Sequence, residues 1–89
     1  MQKGIFADSF TEAFNELLEK SGVSRYQIAQ YTGIDEGYLC HLAKGEKSNP
    51  SPEVVVRICL AFAHCSDKVS QYDFEKLFNS LGRSLLIKH

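Results

Sequence analysis

Three groupings in this 89-residue chain have the residue types that do chemistry: Cys40-His41, His64-Cys65 with Cys59 nearby, and the adjacent carboxylates Asp35-Glu36. A thiolate and an imidazole can hold a soft divalent metal, or act as a nucleophile and its base. Neither arrangement is completed here. The Cys and His positions lack the paired C-x2-C spacing of a structural zinc site, so neither a metal nor a cofactor is expected. No acid–base constellation converges at a recognisable spacing, and so small a helical chain offers little cleft, so no enzyme is expected. The carboxylates suit another task. Acids at a helix start accept from orphan backbone N–H groups and complement the helix dipole, at about 0.3–1 kcal/mol each.

The composition narrows the classes further. Eighty-nine residues suffice for one small domain, and a hydrophobic content of 44% with 24% charged residues supports a folded core. The net charge of −1 rules against nucleic-acid binding by bulk electrostatics and demands a local basic patch for any such function. The charge is uneven: residues 1–19 balance at −3, while residues 20–50 and 51–89 each balance at +1. Three cysteines, an odd count, and no signal-like apolar N-terminus lead us to expect a reducing cytoplasm. No apolar run reaches transmembrane length, so no membrane partner is expected.

The elements that must position these residues read as helices throughout. Phe10, Ala13, Phe14, Leu17 and Leu18 form one apolar stripe, with Ser9 and Glu12 spaced as a capping box and Gly22 as a stop, predicting a first helix over about 10–21. Ser24 caps a short second helix from Arg25 to Tyr31. Thr32-Gly33-Ile34 reads as a tight turn. Asp35 caps a third helix over Glu36–Ala43, which Gly45 ends. Residues 46–52 read as a loop, and Ser51-Pro52-Glu53 opens a fourth helix. Its Val54, Val55, Ile58, Cys59, Ala61 and Phe62 predict a nearly all-round apolar, central element. Phe74, Leu77, Phe78 and Leu81 mark a fifth helix, starting near Ser70 or Asp73 and capped by Gly82, with Leu85, Leu86 and Ile87 in a tail. The fold class expected is all-α, five helices in a single domain over 1–89, with its core in 10–65 and a C-terminal helix and tail in 66–89.

The second and third helices carry the spacing of a helix-turn-helix. Two helices that cross closely need a small residue in the first, here Ala29, and glycine at the turn four residues on, here Gly33. The second must turn apolar residues inward, here Leu39 and Leu42, and Ile28 and Ile34 fill the space between. Residues 10–65, and above all "GVSRYQIAQYTGIDEGYLCHLAKGEKSNPSPEVVVRICLAF" (22–62), resemble the lambda-repressor-like Cro/repressor (XRE) helix-turn-helix family. The Tyr-Leu pair, the Lys-Gly turn and Pro50-Ser51-Pro52 opening the fourth helix are especially similar to one bacterial branch.

That resemblance implies a five-helix lambda-repressor-like DNA-binding domain and a small, often dimeric transcriptional regulator whose third helix, about 35–43, enters the major groove of double-stranded DNA. It assigns base contacts to Glu36, Gly37, Tyr38, Cys40 and His41, and phosphate contacts to Arg25, Lys44, Lys47, Ser48 and Asn49. Asp35 reads as the cap. For Glu36 two readings stand side by side, a second helix-start acid or an acceptor for cytosine N4. The stripe of Phe74, Leu77, Phe78, Leu81, Leu85 and Leu86 also has two readings, packing on the first and fourth helices or a homodimer face. The alternative function on the same fold is a protein-interaction module, or an antitoxin with a protein partner.

Overall fold

The computed structural model describes residues 9–47 and 50–87, the last six of these as backbone only. Five helices follow one another with no strand among the described residues: α1 Ser9–Ser21, α2 Arg25–Thr32, α3 Glu36–Lys44, α4 Pro52–Cys65 and α5 Gln71–Ile87. The all-α class and the order of elements agree with the hydrophobic periodicity. α1 packs on α3 and α5, α2 on α3 and α4, and α4 on α5.

The core gathers one stripe from each helix. Phe14, Ile28, Leu39, Leu42, Val55, Ile58, Phe62 and Leu77 are fully buried. Phe14 and Phe62 meet edge-to-face, with ring centroids 6.2 Å apart. Burial of side chains this large, at about 25 cal/mol per Å² of apolar surface, supplies most of the folding free energy.

Two expectations need correction. α5 does not stop at Gly82: the helix runs through it to Ile87. An interior glycine costs a helix only about 1 kcal/mol, and the residues that follow it include good helix formers. α4 is not buried all round either. Its inner face is covered by α2 and α5, while Val56 and Leu60 lie exposed on the outer face. The capping hydroxyl expected of Ser9 and the side chains of Leu85 and Leu86 lie outside the described residues, as do Ser48 and Asn49.

Candidate nucleic-acid interface

The α2–turn–α3 unit is built from local hydrogen bonds. The Ser24 hydroxyl accepts from the Gln27 N–H (3.1 Å), and the Gln27 side chain accepts from the Ser24 N–H (2.9 Å), a full capping box. At the other end of α2 the Thr32 hydroxyl donates to the Ile28 carbonyl (2.7 Å) and accepts from the Ile34 N–H (3.0 Å). Gly33 turns the chain at φ +81°, which a Cβ would oppose, and its N–H donates to the Ala29 carbonyl. Asp35 then caps α3, its carboxylate accepting from the Tyr38 N–H (3.2 Å).

α3 has two distinct faces. Leu39 and Leu42 are fully buried, with Ile28 beneath them and Ala29 and Ile34 packed alongside. Glu36, Gly37, His41 and Lys44 form the exposed strip, flanked by half-buried Cys40 and by Tyr38, whose ring leans on the core. A side chain at Gly37 would push against the cap. A Cβ there would come within 2.8 Å of the Asp35 carboxylate that caps the helix.

The C-terminus of α3 is held from two sides. Gly45, at φ +84°, lets its N–H reach the Leu42 carbonyl (3.2 Å) and that of Glu46 reach the His41 carbonyl (3.0 Å). From α1, the Thr11 hydroxyl donates to the Leu42 carbonyl (3.2 Å) and the Asn15 amide to the Ala43 carbonyl (2.8 Å). Thr11 and Asn15 carry no signal in the sequence, because their partners lie 31 and 28 residues away and no local pattern marks the contact. Nor does the loop sequence mark Glu46. It pairs with His41 Nδ1, and that hydrogen bond, opposed by burial and aided by the charges of His41 and Lys44, holds its carboxyl below its ordinary value.

Three unpaired cations belong to this region. Arg25, Lys44 and Lys47 are exposed and form no ion pair among the described residues. Arg25 and Glu36 line one cleft together with Leu18, Val23, Ser24 and Tyr26, so the start of α2 sits beside the start of α3. Elsewhere Lys20, Arg57 and Lys76 are each held by a carboxylate, and Lys68, between α4 and α5, is exposed with no ion pair among the described residues.

His64 and Cys65 line one shallow cleft with Ser66, Asp67 and Lys68. Burial pushes the Cys59 thiol up to about 11, and Cys40 and Cys65 are half-buried free thiols. His64 stacks on Tyr31, centroids 4.6 Å apart. Among the described residues no three His, Cys, Asp or Glu gather as a metal site.

In the C-terminal stripe, Leu77 and Leu81 are buried in the chain's own core and Phe74 packs against it, while Phe78 is 37% exposed. Intramolecular packing therefore accounts for most of the described part of that stripe.

Two short helices joined at a left-handed glycine, locked by a shared apolar core and leaving one face of the second helix open, define a helix-turn-helix protein. The helix-turn-helix family HTH_3 matches residues 15–66, more than half of the chain, and the chain belongs to that Cro/repressor-type family of DNA-binding regulators. No curated protein and no solved structure matches it. No helix among the described residues is long and apolar enough to cross a membrane.

Proposed function

We propose that the chain is a cytoplasmic transcriptional regulator that binds double-stranded DNA sequence-specifically, with α3 in the major groove. The observation that carries this reading is position: Arg25, Lys44 and Lys47 flank the open face of α3 and form no ion pair among the described residues, while Lys20, Arg57 and Lys76 are neutralised and the unpaired Lys68 stands alone between α4 and α5. Free cations fix register on phosphate, and the strip between them reads base edges. Glu36, Gly37, Tyr38, Cys40 and His41 are the readers in this account, and Ser48 and Asn49 join the phosphate contacts. Glu36 accepts from cytosine N4, since Asp35 already serves as the cap.

So few cations give a single protomer weak, shallowly salt-dependent binding, and a homodimer on a near-palindromic site corrects this by placing two α3 helices about 34 Å apart. Phe78, with Leu85 and Leu86, supplies its face. The exposed Val56 and Leu60 of α4 favour a second reading, in which a partner protein docks on the outer face, as an antitoxin would require.

The test is selection from a random-sequence duplex library at two salt concentrations. The expected outcome is an enriched near-palindromic motif bound more weakly at high salt. No enrichment by folded protein at low salt rejects the reading. Lys44→Ala should weaken binding to all sequences alike and reduce the salt slope by about 1.

A further inference from the structure

The last turn of α3 is a rigid platform. The carbonyls of His41, Leu42 and Ala43 are all occupied, by Glu46 and Lys47 backbone N–H groups, by Gly45 and Thr11, and by Asn15. The left-handed Gly45 folds the chain back so that the Glu46 N–H is tied to the His41 carbonyl at 3.0 Å. From there the Glu46 carboxylate meets His41 Nδ1. An ionised carboxylate only accepts, so this contact requires the proton on Nδ1. Both side chains remain about half exposed, at 49% and 55%, and Nε2 has no hydrogen-bond partner among the described residues.

A carboxylate beside Lys44 and Lys47 repels phosphate, so Glu46 weakens backbone affinity where the neighbouring cations raise it. Its contact with His41 gives it a different role. We propose that Glu46 is a positioning residue for base readout: by holding Nδ1–H, it fixes the orientation and tautomer of His41 and leaves Nε2 as the ring atom offered to a base edge. On the neutral ring Nε2 is an acceptor, and its partners in the major groove are the exocyclic amino groups of adenine and cytosine. This inference rests on the proposed docking of α3 in the groove.

The experiment compares wild type, Glu46→Gln, Glu46→Asp, His41→Ala and the double variant H41A/E46Q by selection on randomised duplexes in mildly alkaline buffer. Imidazole nitrogen NMR of the free proteins runs beside it. Glutamine removes the charge and, able to donate or accept, holds neither tautomer. Glu46→Gln is expected to tighten binding to all sequences while losing about three- to tenfold of the discrimination at one base pair, the same one that His41→Ala relaxes. Glu46→Asp should retain that preference, and E46Q should add nothing at that position once His41 is alanine. The spectra should show Nδ1 protonated in wild type and a mixture of tautomers in Glu46→Gln. Unchanged base preference in Glu46→Gln, an effect that persists without His41, or an unprotonated Nδ1 in wild type overturns the inference while leaving α3 in the groove. Failure of wild type to bind any duplex rejects the docking itself and this inference with it.

Discussion

The two ends of α1 show two ways of holding a helix. Near its start, Thr11 and Asn15 reach across to the carbonyls of α3 and leave the cations around that helix free. Along its later turns, Glu16 and Lys20 bind α5 through charge, to Lys76 (3.0 Å) and Asp73 (2.7 Å). α3 is thus fixed by neutral hydrogen bonds, caps and buried leucines, and, apart from the His41–Glu46 pair, its outer face forms no ion pair among the described residues. α5 spends its charge on its own fold. Unpaired cations grouped around an open helix face are what a phosphate backbone can engage.

The largest effect that tests this contrast is in the core. Leu39→Ala and Leu77→Ala each remove a fully buried side chain and should each cost about 2–5 kcal/mol in denaturant unfolding. They should part company in DNA binding: the folded fraction of Leu77→Ala keeps its affinity, and that of Leu39→Ala loses it. Equal losses would erase the distinction between the two regions.

The glycines should respond with opposite signs. Gly45→Ala forces a side chain into left-handed backbone at φ +84° and should cost about 1–2 kcal/mol. Gly82→Ala replaces an interior helical glycine and should stabilise by about 0.5–1 kcal/mol. Thermal melts of the two variants against wild type read both signs.

The smallest effect lies in the ion pairs. Burial pushes the Asp73 carboxyl up, but the hydrogen bonds from Lys20 and Ser70 and the Lys20 charge outweigh it, and its pKa falls below the ordinary value. A lowered carboxyl contributes stability above its ordinary pKa and loses it as pH falls through the folded value. The stability gap between wild type and Asp73→Asn, about 1 kcal/mol or less near neutral pH, should therefore close on acidification. A gap that widened in acid would reverse the sign assigned to this pair.

What the sequence made legible follows the same division. The bounds of α2 and α3 came within a residue because Ser24, Gly33, Asp35 and Gly45 are local signals whose physics needs no distant partner. Gly82 reads as a stop in the sequence, whereas the helix continues through it, because glycine's cost of about 1 kcal/mol is too small to end a helix by itself. The exposed strip of α3 followed from the spacing of Leu39 and Leu42. The Glu46–His41 pair did not, because it depends on the reversal of the chain at Gly45, which a linear pattern of loop residues does not reveal. Glu36, the conspicuous acid, stands apart from any ion pair among the described residues, while Asp35 beside it is occupied as the cap.

The most direct test of the central claim is a backbone amide NMR titration of the protein with its selected duplex. Shifts are expected to concentrate at Arg25, Glu36–Lys44 and Lys47, with α5 unmoved apart from any dimer contact at Phe78. Shifts centred on α4 and α5 with α3 silent would contradict that claim.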